Sequence, residues 1–115
     1  MVINGVEIEF DVNDVELVEK VEESIKTKFA EMEVKGSYAE TIRYFCNQVF
    51  DFFDESFGEG TAIKIFGTKV NYKLCNEALI DFRTQYDSEI NKNNQEIFKK
   101  LDKYSPNRAT RRAKT

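Results

Sequence analysis

Hydrophobic and polar residues alternate over the first twelve positions of the chain. β-Branched residues flank an Asn4-Gly5 step, and apolar side chains then occupy every second position. An Asn-Gly step between such runs is typical of a two-residue turn, because both turn positions need a positive φ. The pattern predicts a β-hairpin over residues 2–12. Two strands alone are marginally stable in water, so the apolar face must either pack on a helix or extend a sheet shared with another copy.

The spacing of apolar residues then changes from two to three and four, which is typical of an amphipathic helix. Asn13 followed by Glu16 fits a helix start, because the amide side chain can cap free backbone amides and the acid favours the positive helix end. This first helix is expected to end before Gly36. Its apolar stripe comprises Val18, Val21, Ile25, Phe29 and Met32.

A second helix is predicted from Ser37, which forms a capping box with Glu40. It is the most apolar helix of the chain, so we expect it to be central, and Gly58 can supply the left-handed terminus that stops it. Its aromatic stripe could line a ligand cavity, but phenylalanines at helical spacing are more often core residues. The apolar positions are Ile42, Phe45, Cys46, Val49, Phe52, Phe53 and Phe57.

The next segment is short enough to be either a strand or a helical turn capped by Thr61, of which we favour the short helix, and a long helix from Asn71 completes the pattern. The long helix meets no glycine or proline before Pro106 and would span roughly 50 Å at ~1.5 Å per residue, more than a three-helix core can cover. Its distal half must therefore protrude or pair, and residues 91–94 are where it would fray or bend, because asparagine is a poor helix former. Its apolar positions are Cys75, Leu79, Phe82, Tyr86, Ile90, Ile97, Leu101 and Tyr104.

These elements together predict an α+β, mainly α fold. It consists of an N-terminal β-hairpin, two core helices, a short helical turn and a long C-terminal helix. We expect residues 1–104 to form a single domain from which the C-terminal helix protrudes, followed by a flexible basic tail over residues 105–115.

Charge is distributed unevenly along the 115 residues. The net charge is −4, from 17 basic and 21 acidic residues, but the tail carries +4 and residues 1–104 carry −8. An acidic body makes nucleic acid an unlikely main partner, because phosphate binding needs a basic face. The tail is either a solubilising segment or a docking segment for an acidic partner. With no apolar run of ~20 residues and no leader, we expect a soluble, cytoplasmic protein without membrane contact.

The residue types present leave little room for catalysis. Histidine is absent, and Cys46 and Cys75 are expected to be reduced core residues. The carboxylates of Asp51, Asp54 and Glu55 could hold a cation but are more simply explained as a solvated face. The glycines between residues 58 and 67 lack the order of a phosphate-binding loop. We therefore predict no catalytic residue, no metal and no cofactor.

Two motifs and the order of elements resemble the small tail assembly chaperones of long-tailed bacteriophages and prophages. The closing motif resembles the Asn-Arg-Ala-x-Arg-Arg-Ala signature that often ends such proteins. The other motif is similar to the Phe-Gly-Glu-Gly…Lys-Ile-Phe-Gly segment that follows their second helix. Here these motifs read Asn107-Arg108-Ala109-Thr110-Arg111-Arg112-Ala113 and Phe57-Gly58-Glu59-Gly60-Thr61 followed by Lys64-Ile65-Phe66-Gly67.

The resemblance implies a non-enzymatic role in viral tail morphogenesis, as an oligomer that binds the helical tape measure protein and recruits tail tube subunits. If so, apolar residues of the distal helix, Ile97 and Leu101 first, should contact the partner, with Arg108, Arg111 and Arg112 adding salt-sensitive attraction. Two alternatives stay open. One is a small regulator or adaptor that touches nucleic acid through the basic tail, and the other is an enzyme that needs a metal or nucleotide.

Overall fold

The fold follows the predicted order of elements. The computed structural model describes residues 1–30, 32–34 and 36–104. The chain divides into two compact units, Met1–Gln85 and a second that begins at Tyr86. The α+β, mainly α class is confirmed. The elements within the described residues are β1 (Val2–Ile3), β2 (Val6–Glu7), α1 (Val15–Phe29), α2 (Tyr38–Phe57), α3 (Thr61–Phe66) and α4 (Tyr72–Tyr104).

The hairpin forms at the predicted turn. Asn4 and Gly5 have φ values of 53° and 80°, the positive pair that this turn requires. β1 and β2 run antiparallel, and each strand is two residues long. The alternation of apolar and polar residues therefore extends further along the chain than the hydrogen-bonded strand pairing. Ile3 and Ile8 are both buried, which shows that the apolar face of the hairpin packs into the protein's own core.

The first helix begins one residue later than predicted. Asp14, not Asn13, caps α1, and its carboxylate accepts a hydrogen bond of 3.0 Å from the Glu16 amide. Asn13 is held instead in a local turn, where its side chain donates to the Asp11 carboxylate over 2.8 Å. The prediction of Asn13 as the cap was wrong, because neighbouring residues compete for the same role and Asp14 offers a charged acceptor.

The second helix begins at its predicted cap. The Ser37 hydroxyl accepts a hydrogen bond of 3.2 Å from the Glu40 amide. α2 ends at Gly58, whose φ of 113° is positive as expected, although its ψ of 148° is not that of a left-handed helical residue. The buried face of α2 includes Cys46, Val49, Phe52, Phe53 and Ser56.

A carboxylate from α2 joins this helix to α3. The side chain of Asp54 accepts a hydrogen bond of 2.8 Å from the Ala62 amide in the first turn of α3. Gly60, not Thr61, occupies the cap position, and the Thr61 hydroxyl donates to the Gly58 carbonyl over 2.7 Å. The short helix was predicted correctly, but its cap was not, because the capping group comes from eight positions earlier.

α4 is one helix of 33 residues. Its first turn is capped by Asn71, whose side chain accepts a hydrogen bond of 3.1 Å from the Leu74 amide. The predicted bend at residues 91–94 is absent, and the helix continues through them. Asparagine costs at most ~0.7 kcal/mol per position in a helix, and good helix formers such as Gln95 and Glu96 follow this segment.

Aromatic side chains of the N-terminal segment, α2 and α4 pack together in the core of the Met1–Gln85 unit. Phe52 and Phe82 are fully buried, with ring centroids 5.2 Å apart in an edge-to-face arrangement. Phe57 packs against Phe82 at 5.4 Å and against Phe10 of the N-terminal segment at 5.4 Å. Such pairs add to the free energy of burial. The C-terminal part of the α2 stripe, from Phe52 to Phe57, is therefore core, as the sequence analysis favoured, whereas Phe45 lines a groove described below.

Candidate partner-binding site

Three neighbouring apolar side chains of α4 face solvent near its C-terminal end. The exposed fractions are 53% for Ile97, 48% for Phe98 and 40% for Leu101. Positions 97 and 101 are four apart and positions 98 and 101 are three apart, so the three side chains share one face of the helix. We name these three residues the distal patch.

The sequence predicted two members of the distal patch. Ile97 and Leu101 lie on the apolar stripe of the long helix, and the structure leaves both exposed. Phe98 was missed because it falls one position off that stripe. Its spacing of three from Leu101 is the signal that could have identified it.

Positive charge accompanies the distal patch along α4. Residues 97–103 include Lys99, Lys100 and Lys103 against a single acid, Asp102. At ~3.6 residues per turn, Lys100 borders the patch, whereas Lys99 and Lys103 lie on the opposite face of the helix. The segment therefore attracts an acidic partner through its net charge, while the patch supplies the apolar contact. Arg108, Arg111 and Arg112, predicted to contribute to the same surface, lie outside the described residues, and their role stays a prediction.

A second exposed apolar surface lies in the Met1–Gln85 unit. It is a groove of about 510 Å³ between the segment after α1, the first two turns of α2 and the start of α4. Its exposed fractions reach 81% at Val34 and 78% at Tyr38. We name it the tyrosine groove, and its main lining residues are Met32, Val34, Tyr38, Ile42, Phe45 and Tyr72.

Sequence reasoning did not find the tyrosine groove. Met32 was placed on the stripe of the first helix, whereas α1 ends at Phe29. Tyr38 and Tyr72 lie four and three positions before the first residue that was placed on the apolar stripe of each helix, and neither was assigned to it. Because three segments that are distant in sequence build the groove, no single periodic pattern could reveal it.

The carboxylates near the end of α2 serve the structure. Glu55 forms an ion pair of 3.0 Å with Lys28 of α1 and accepts a hydrogen bond of 3.2 Å from Ser24. Asp54 caps α3, while Asp51 is exposed. Their assignment to a solvated face was therefore incomplete. In residues 1–30, 32–34 and 36–104, no group of three or more potential ligands could hold a metal ion.

The two cysteines are buried and free, as expected. Cys46 of α2 and Cys75 of α4 lie close enough for their thiols to interact. The pKa of the Cys75 thiol is raised from 9.0 to about 12, first by burial and then by the neighbouring Cys46 thiol, while a backbone hydrogen bond with Asn71 acts in the opposite direction. A thiol held protonated in this way is a poor nucleophile.

The comparisons with known proteins place the chain in a family. A family model matches residues 4–115, nearly the whole sequence. The chain belongs to DUF6673, a family of unknown function. No curated protein and no solved structure matches it. Membership of DUF6673 therefore indicates no activity, ligand or partner for this chain.

Within residues 1–30, 32–34 and 36–104, no helix combines the length and the apolar character needed to span a bilayer.

Proposed function

We propose that this chain is a tail assembly chaperone encoded by a long-tailed phage or prophage. It acts in the cytoplasm of the bacterial host, where it binds the tape measure protein and recruits tail tube subunits during tail morphogenesis. The role is one of binding, without catalysis or cofactor, and the free chain is a homo-oligomer.

The observation that carries the proposal is the distal patch. Ile97, Phe98 and Leu101 expose a continuous apolar face on a helix. A tape measure protein is a very long helical chain, whose apolar stripes must be covered until tube subunits surround it. Two helices can bury such stripes against each other along their lengths, which is a common mode of recognition for amphipathic helices.

The chemistry of the chain also favours binding over catalysis. The carboxylates of Asp54 and Glu55 are engaged in holding helices together. The thiol of Cys75 is buried and its raised pKa keeps it protonated. These three side chains are therefore committed to the fold.

A nucleic-acid adaptor is the competing proposal, and it relies on the basic tail alone. The Met1–Gln85 unit contains nine basic and seventeen acidic residues, a net charge of −8, which would repel phosphate. Salt-dependent binding of duplex DNA by the isolated protein would favour this alternative.

The experiment is a pull-down from cells that co-express the chain with the tape measure and tail tube proteins encoded beside it. We expect both proteins to be retained, with the tape measure protein soluble only when the chain is present. Retention of neither protein would reject the chaperone proposal. Retention of duplex DNA instead would support the adaptor.

A further inference from the structure

The chain carries opposite charges in its two parts. The Met1–Gln85 unit has a net charge of −8, and residues 97–115 hold seven basic residues and one acid, a net charge of +6. Charges of this size attract over roughly 10 Å at 0.1 M ionic strength. One copy of the chain therefore presents an acidic unit and a basic terminal segment to any second copy.

The apolar surfaces are divided in the same way. The tyrosine groove belongs to the acidic unit, and the distal patch lies within the basic segment. Among the residues that the structure describes, Glu33 is the one charged residue that lines the groove. Lys99, Lys100 and Lys103 lie within the same two turns of helix as the patch, and Lys100 is the one beside it. The groove thus belongs to a unit of net negative charge, and the patch belongs to a segment of net positive charge.

The residue types of the groove also suit a protein partner. Tyrosine and methionine are enriched at the centres of interfaces, because they supply large contact areas. Tyr38, Tyr72 and Met32 provide this area, and Val34 adds an exposed branched side chain. A turn of helix that presents one aromatic and two aliphatic side chains is a fitting occupant for such a groove.

We propose that the tyrosine groove of one copy binds the distal patch of a second copy. The contact is heterologous, since groove and patch are different surfaces, and the second copy keeps its own groove open for a third. Association therefore proceeds head to tail. If the proposed function holds, the tape measure helix competes for the same patch, so partner binding releases the contact between copies.

The test is sedimentation of the full chain and of two variants at micromolar concentration. The groove variant carries Val34→Asp and Tyr38→Ser, and the patch variant carries Ile97→Ser and Leu101→Ser. The parent chain should sediment as species that grow with concentration. Each variant alone should be a monomer. An equimolar mixture of the two should give a dimer and nothing larger, because it contains one intact groove and one intact patch.

Ile63→Asp is the matched control, because Ile63 is an exposed aliphatic residue of α3 outside the groove. It should sediment like the parent. Circular dichroism must show parental helix content for every variant. A monomeric parent, a groove variant that still associates, or a mixture that stays monomeric would each overturn the proposal.

A fluorescent reporter tests the same contact without removing any apolar side chain of the groove. The chain contains no tryptophan, so Tyr38→Trp places a unique probe in the groove. Its emission should shift to shorter wavelength as concentration rises, and raising the salt concentration should weaken the shift. The shift should vanish when Ile97→Ser and Leu101→Ser are added. A shift that survives these two substitutions would contradict the contact.

The two proposals fail separately. The groove variant keeps its distal patch, so it should still keep the tape measure protein soluble. Loss of self-association with retained solubilisation supports both proposals. A chain that associates head to tail but retains no tail protein keeps this inference and rejects the chaperone function.

Discussion

The side-chain amide of Gln85 donates a hydrogen bond of 2.7 Å to the backbone carbonyl of Val2, 83 positions earlier in the sequence. The same amide donates to the Asp81 carboxylate over 2.9 Å, which fixes its orientation on α4. The bond satisfies a backbone acceptor of β1 and ties the N-terminal hairpin to the last helix of the Met1–Gln85 unit. A hairpin of two-residue strands depends on such support, because so short a ladder is not stable alone.

Replacing Gln85 with alanine should therefore loosen the hairpin. We expect the free energy of unfolding to fall by about 1 kcal/mol, the usual net contribution of one hydrogen bond. The Ile8 amide, which donates to the Met1 carbonyl over 2.7 Å, should exchange with solvent faster. Hydrogen exchange measures this effect, and Thr84→Ala on the exposed face of the same helix is the control. Unchanged exchange at Ile8 would show that the hairpin stands without Gln85.

Two buried serines should respond to alanine in opposite directions. The Ser56 hydroxyl is buried and has no hydrogen-bond partner among the described residues, whereas Ser24 donates to Glu55. Removing an unsatisfied polar group relieves a desolvation cost, so Ser56→Ala should raise the free energy of unfolding by about 1 kcal/mol. Ser24→Ala should lower it by a similar amount. Thermal unfolding distinguishes them, since 1 kcal/mol shifts the melting temperature by ~4–8 °C in a domain of this size. Destabilisation by both substitutions would contradict the prediction.

Alkaline pH should destabilise the fold through Cys75. Its pKa is raised from 9.0 to about 12 in the folded chain, so between these values the folded state binds more protons than the unfolded state. The contribution to stability is complete below about pH 9 and is lost as the pH rises towards 12. Cys75→Ala should show a shallower loss of stability over this range in denaturant titrations. Equal slopes for parent and variant would mean that the thiol does not couple folding to pH.

Local signals in the sequence predicted the elements, and contacts between distant residues explain the errors. Asn4-Gly5 and the Ser37 cap each encode their structure within four residues, and both predictions are confirmed. The Asp54 carboxylate caps α3 from eight positions earlier in the chain, and no local sequence motif predicts such a contact. The tyrosine groove is formed by three segments that are distant in sequence, so no single motif predicts it either. Ile97 and Leu101 were predicted to lie outside the core because the long helix is longer than a small core can cover, and the structure leaves both side chains exposed. That they bind a partner stays a prediction.

The basic tail should act through charge alone. Reversing Arg108, Arg111 and Arg112 to glutamate should weaken association with the tape measure protein mainly at low salt, because exposed charges are screened over about 10 Å at 0.1 M. Pull-downs at several salt concentrations measure this, with the same arginines changed to lysine as the control. Equal weakening at low and high salt would contradict a purely electrostatic role.

The most direct test of the account is the solubility of the tape measure protein when it is co-expressed with the Ile97→Ser, Leu101→Ser variant. Each side chain contributes ~1.5–3 kcal/mol when fully buried against a partner, so the soluble fraction should fall sharply at any ionic strength. Ile63→Ser, an exposed aliphatic change outside the distal patch, should leave the soluble fraction at the parental level. A soluble fraction that is the same for the parent chain and the patch variant would contradict the claim that this surface binds the partner.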